Sequence, residues 1–175
     1  MNFKNYLLAL LVILCISCEA AYPPQYDAIS AASQADTVFP VPVGFVNDFD
    51  NVLSEEQETS LLNLVKQYEA ETTTQIAIVT LTSIQGYEGL ESYSLDLANN
   101  WKIGQEDKDN GVLIALYMKD RRIWIQNGNG IMQKLTDNET LEIIKKIIVP
   151  EFKKDNYFSG FQKGIKAIIE ELKRS

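Results

Sequence analysis

From residue 54 onward the apolar positions keep two alternating rhythms. Leu61, Leu62, Val65 and Tyr68 recur three to four residues apart, which is the spacing of one helical face. Ser54, with Gln57 three residues on, predicts a capping box at the start of that helix. "QIAIVTL" (75–81) is a β-branched apolar run and predicts a buried strand. Leu90, Tyr93, Leu97 and Trp101 return to helical spacing. "GVLIALYM" (111–118) and "RRIWIQN" (121–127) flank Lys119-Asp120 and predict a β-hairpin with a two-residue turn. "TDNETLEIIKKIIV" predicts a helix that starts at Thr136 or Asp137 and is stopped by Pro150. A last amphipathic helix carries Phe158, Phe161, Ile165, Ile168 and Leu172 on one face.

A short first strand at "GFVND" precedes these elements. Strands separated by helices predict a three-layer α/β/α sandwich with a mixed, mainly parallel sheet of about four strands. The crossover from 75–81 to 111–118 is expected to be right-handed. This domain covers 44–175.

The first residues read differently. Lys4 is followed by a nine-residue apolar core, Tyr6 to Leu14. A spanning helix needs ~20 apolar residues, so the core suits a secretory signal over 1–17. Cys15 and Cys18 have the C-x-x-C spacing of a redox pair or half a metal site. They close a signal core, however, and small Ser17 precedes Cys18, as in a bacterial lipoprotein that is cleaved and acylated at Cys18. Residues 18–43 hold four of the five prolines and no regular period, and read as a flexible tether. The expected location is the cell envelope: an exported chain, lipid-anchored on the periplasmic side or the cell surface, meeting the membrane through the anchor alone.

Charge narrows the chemistry. Sixteen basic and 24 acidic residues give a net charge of −8. Nucleic acid and anionic lipid therefore find no long-range attraction here, whereas cations do. The chain has no histidine, which excludes a Ser-His-Asp triad and any His-ligated zinc.

Three short motifs carry candidate chemistry. Asp48-Phe49-Asp50 follows the first strand, as an Asp-x-Asp phosphatase nucleophile would. Asp107-x-Asp109-x-Gly111 puts two carboxylates on one loop, a pattern suited to a hard cation, although the same residues also make an ordinary turn. "NGNG" (127–130) resembles a phosphate-cradling loop but lacks the Lys-Ser/Thr of a P-loop. Pairing Met118 with Arg121 across the turn puts Gly111 opposite Gly128. The acidic loop and the glycine loop then share one sheet edge, and Asp137 is seven residues from Gly130. A parallel first strand would put Asp48 at the opposite edge.

In order along the chain, "VNDFDNVLS", "WKIG", "DNGVLIAL", "RRIWIQNGNGI", "LTD" and "VPEFKKDNYFSGFQKGI" resemble the TPM domain family over residues 45–173. The resemblance implies an α/β/α sandwich. Its members are secreted or membrane-tethered bacterial proteins and thylakoid-lumen proteins linked to photosystem II repair. Divalent cation binding and weak acid phosphatase activity are ascribed to them. By motif, the family's polar positions fall on Asp48, Asp109, Asn110, Gly111, Gly128, Gly130 and Asp137.

Two functions follow as expectations. One is a tethered binding module that holds Ca²⁺ or Mg²⁺ at Asp107, Asp109 and Asp137 and engages an envelope or membrane protein in an accessory or maintenance role. The other is a weak metal-assisted acid phosphatase, with Asp109 or Asp48 as base and Arg121 or Arg122 binding the anion.

Overall fold

The structure is a computed structural model that describes residues 39–174. The signal expected over 1–17, the anchor expected at Cys18 and most of the expected tether lie outside the described residues.

Strand β1 (Val46–Asp48) leads to helix α1 (Glu55–Thr72). Ser54 caps α1 as predicted: Gln57 N donates to its hydroxyl, and Ser54 N donates to Gln57 Oε1. Thr73 ends the helix in the left-handed region. Then come β2 (Gln75–Leu81), α2 (Leu90–Asn100), β3 (Gly111–Tyr117) and β4 (Arg122–Asn127). The sheet order is β1-β2-β3-β4, with the first two pairings parallel and the last antiparallel.

β2 and β3 are buried along their lengths and so are apolar on both faces. Alternate side chains serve two cores. Ile76, Ile78, Val112, Ile114 and Leu116 meet α1 and the C-terminal helices. Ala77, Val79, Leu81, Leu113 and Ala115 meet Leu90, Tyr93 and Leu97 of α2. These are the three expected layers. Because the strand order runs in one direction while α1 and α2 cover opposite faces, the two parallel crossovers have opposite hands. Only one of them follows the right-handed rule.

Three elements differ from expectation. "NGNG" runs into a one-turn helix, α3 (Asn129–Met132), although glycine and asparagine are poor helix formers; Ile131, 2% exposed, pins the turn to the core. The helix from Thr136 does not stop at Pro150. It continues as α4 (Asp137–Ile143), a π-helical segment (Ile144–Ile148) and α5 (Val149–Phe152). Val149 N donates to Ile144 O in the wider π turn, and Pro150 sits in the first turn of α5, where its missing N–H costs little. The last helix is α6 (Tyr157–Arg174). Finally, residues 39–43, read from the sequence as the end of a tether, are packed on the domain. Phe39 meets Tyr93 edge-on at 5.4 Å, Trp101 Nε1 donates to Pro40 O at 2.8 Å, and Val43 N donates to Asn47 Oδ1 at 2.8 Å.

Candidate functional site

The site is built at the edge of the sheet where β2 and β3 begin. The hairpin register is the expected one: Val112 pairs with Asn127, and Gly128 N donates to Gly111 O at 2.8 Å. Met118 and Arg121 close the turn through an N–H···O bond of 3.1 Å rather than joining the ladder. Loop 103–110 lies directly on this edge, backbone against backbone. A Cβ on Gly111 would overlap the Ile103 carbonyl, one on Gly128 the Asp109 carbonyl, and one on Gly130 the Lys108 carbonyl. The glycines are therefore set by close approach, and nothing in their geometry requires a phosphate.

Asn110 is structural as well. Its Nδ2 donates to Thr73 O at 2.9 Å and to Thr73 Oγ1 at 3.3 Å, and its Oδ1 accepts from Gln105 N at 2.8 Å. It fastens the loop to the C-terminus of α1. The backbone adds Gln75 N to Asn110 O at 3.1 Å and Gly130 N to Asp109 O at 3.1 Å.

Asp109, held at φ 47° and exposed, is left for chemistry. Among the described residues its side chain takes part in one hydrogen bond, from Asn129 Nδ2 at 3.4 Å to Oδ2. It forms a wall common to two adjoining cavities. One, of about 150 Å³, lies between α2 and the hairpin and includes Asn99, Gln126 and Asn129. The other, of about 220 Å³, includes Asn99, Lys102, Gln105 and Glu106. Asn99, Gln105, Glu106 and Asn129 were not read as site residues. Asn99 and Asn129 become so because the end of α2 lies against the hairpin edge, and Gln105 and Glu106 through the loop between α2 and Asp109.

Asp107 and Asp137 line neither cavity. Asp137 is exposed at the first position of α4, where it favours the helix dipole beside the Thr136–Glu139 capping box. Among the described residues, no three Asp, Glu, Cys or His side chains are grouped so as to hold a metal ion. Asp107, Asp109 and Asp137 are thus not brought together as one three-carboxylate cage.

Asp48 lies at the other edge. It pairs with Thr80, five residues along β2 from the Gln75 that faces Gly111, roughly 17 Å at ~3.3 Å per residue. Both of its oxygens are engaged: Oδ1 accepts from Thr80 Oγ1 at 2.5 Å and Oδ2 from Leu53 N at 2.7 Å. That is a loop-tying role. Neighbouring Asp50 has a buried Oδ2 with no hydrogen-bond partner, and burial, then the Asp48 charge, push its carboxyl above the usual range. Glu58 is raised by burial and then by Asp48 and Glu55. Arg121 and Arg122 stand at this far edge too, paired with Asp155 (3.1 Å) and Glu91 (3.0 Å). Neither is available to Asp109.

Comparison with known proteins agrees with this architecture. The TPM domain profile matches residues 46–171. An NMR structure of the N-terminal domain of a P. gingivalis protein shares 31% identity, with a TM-score of 0.67, over 74% of this chain and 82% of that one. The BA42 protein of Bizionia argentinensis (21% identity, TM-score 0.61, 72% and 85% of the two chains) shares the fold. So does the N-terminal domain of cg2496 from Corynebacterium glutamicum (16%, 0.58, 77% and 83%). No curated protein matches the chain. With the profile spanning most of its length and a relative at 31% identity sharing its fold, the chain belongs to the TPM domain family.

Proposed function

We propose that the domain is a binding module of the cell envelope that holds a divalent cation, Ca²⁺ or Mg²⁺, at the Asp109 edge and presents the ordered edge to an envelope or membrane protein. The observation that carries this reading is the position of Asp109. An exposed carboxylate with no ion pair among the described residues walls two cavities at once. Hard oxygen donors stand beside it: the Glu106 carboxylate and the amides of Asn99, Gln105, Gln126 and Asn129, with one cation, Lys102, on the same lining. Such a set fits Ca²⁺ or Mg²⁺ better than a soft metal. Two carboxylates, with neutral oxygens and water completing the shell, imply weak binding, on the order of 10⁻⁴–10⁻³ M. The bound ion would neutralise the acidic loop and fix it against α2.

The test is an NMR titration of the full chain with calcium and with magnesium. Saturable shifts confined to residues near 99, 105–111 and 128–131, abolished by Asp109→Asn and retained in Asp137→Asn, are expected. No shift at millimolar metal, or shifts unchanged in Asp109→Asn, would sink the reading. The phosphatase alternative draws on Lys102, which lines the same cavity and would supply the anion contact that Arg121 and Arg122 cannot. Phosphomonoester turnover lost in both Asp109→Asn and Lys102→Gln would favour it, and turnover surviving either change would remove it. For the proposed anchor, Cys18→Ser should release the protein from membranes; retention would refute it.

A further inference from the structure

Beneath the hairpin turn, at the edge far from Asp109, a second kind of cavity opens. It has a volume of about 260 Å³. Leu116 of β3, Ile123 of β4, Val149 and Phe152 of α5, and Tyr157 of α6 make an apolar wall, and Arg121 and Lys153 complete the lining. Two cations and no acid line it, in a chain where acids outnumber bases 24 to 16. Arg121 is paired with Asp155, which leaves Lys153 as the uncompensated cation among the described residues of the lining, so the local sign still opposes the global one.

Of the two cations, Arg121 is partly engaged and Lys153 is not. Arg121 uses one nitrogen on Asp155, at 3.1 Å, and a guanidinium has five N–H donors. Tyr157 OH donates to the same Asp155 oxygen at 3.4 Å, which steadies that carboxylate from the other side. Lys153 has no ion pair among the described residues. The α5 wall follows directly on the π-helical segment Ile144–Ile148. Such segments are rare and occur often beside functional sites.

We propose that this cavity binds a small amphipathic anion: a free monocarboxylate whose short apolar tail lies against Leu116, Ile123, Val149 and Phe152 and whose charge meets Lys153 and Arg121. Size selects the tail. At ~30 Å³ per heavy atom, about the volume of one liquid water, the cavity holds about nine such atoms, so a tail of about five carbons with its carboxylate fills it. Charge selects the head. An apolar wall alone would accept a neutral or cationic tail equally well, whereas the two rim cations favour an anion and reject an amine.

The experiment is a methyl NMR titration of the full chain with hexanoate, with hexanamide as the neutral isostere and hexylammonium as the reversed charge. Saturable shifts at Leu116, Ile123 and Val149 are expected with hexanoate, with a millimolar-range Kd in keeping with so small a ligand. Hexanamide, or hexanoate with Lys153→Gln, should bind about three- to tenfold more weakly, and hexylammonium should not saturate. Lys153 is exposed, so its substitution leaves the fold intact. Shifts that fail to saturate, hexanamide binding as well as hexanoate, or an unchanged Kd in Lys153→Gln would each overturn the proposal.

Discussion

Replacing Asn110 by alanine separates what holds the candidate site from what works in it. Asn110 is 8% exposed and makes two short hydrogen bonds, to Thr73 O at 2.9 Å and from Gln105 N at 2.8 Å, with a longer one to Thr73 Oγ1 at 3.3 Å. Alanine leaves a carbonyl and an amide without these partners. A hydrogen bond contributes about 1 kcal/mol net, and an orphaned buried group costs about 1–3 kcal/mol, so the loss should be roughly 2–4 kcal/mol. At about 3–4 °C per kcal/mol for a domain of this size, Tm should fall by roughly 6–16 °C. Urea unfolding followed by the fluorescence of Trp101 and Trp124 measures it. The control is the residue just before it: Asp109→Asn touches one exposed bond of 3.4 Å and should stay within ~0.5 kcal/mol of the parent while losing the cation response. An Asn110→Ala protein within ~0.5 kcal/mol of the parent, or an Asp109→Asn protein as destabilised as Asn110→Ala, would refute the division between a structural Asn110 and a functional Asp109.

Gly130→Ala drives a methyl into the Lys108 carbonyl, whereas Gly44→Ala meets nothing within 4 Å. The first should lose about 1–3 kcal/mol and the second almost nothing, and equal urea midpoints would contradict the backbone packing. Arg121 sits at φ 51° with an ion pair that is 66% exposed on both sides. Arg121→Gly relieves about 1–2 kcal/mol of left-handed strain and gives up a pair contributing about 0–1 kcal/mol; a thermal melt showing a loss above ~1 kcal/mol would overturn that balance. Asp50, raised above its ordinary 3.8 by burial and then Asp48, binds its proton more tightly folded than unfolded. Its contribution is full below about pH 3.8 and is lost as pH rises through the raised value. Asp50→Asn should therefore remove the loss of stability that Asp50 contributes as pH rises above about 4, and an unchanged profile in guanidinium titrations would remove Asp50 as its source.

The hairpin register was legible because Lys119-Asp120-Arg121-Arg122 is the one polar break between two apolar runs, and pairing Met118 with Arg121 then fixed Gly111 against Gly128. The capping box at Ser54 was legible for a similar reason, since side chain and backbone satisfy each other within four residues, and the structure adds a second one at Thr136, where the helix start was expected at Thr136 or Asp137. The run through Pro150 was not, because the wider π turn that admits it depends on packing against α6. At Gly164 of that helix a Cβ would collide with the Ile148 side chain. Asp137 shows a different limit. Seven residues from Gly130 bound how far the chain can reach, not which way the carboxylate turns. Asn99 carries no motif at all; it joins the site because α2 lies against the hairpin, a contact between segments distant in sequence. Asp48 was placed correctly once β1 was taken as parallel, since direction alone assigns its edge.

The central claim is that the cation belongs at Asp109. Manganese favours the same hard oxygen ligands as magnesium and calcium and broadens nearby amide resonances. Substoichiometric Mn²⁺ added to the ¹⁵N-labelled full chain should broaden the amides of Asn99, Gln105, Glu106, Asp109 and Asn129 first, and excess Mg²⁺ should restore them. Broadening centred instead on Asp137 and Asn138, on Asp48 and Asp50, or spread evenly over the acidic surface would contradict it.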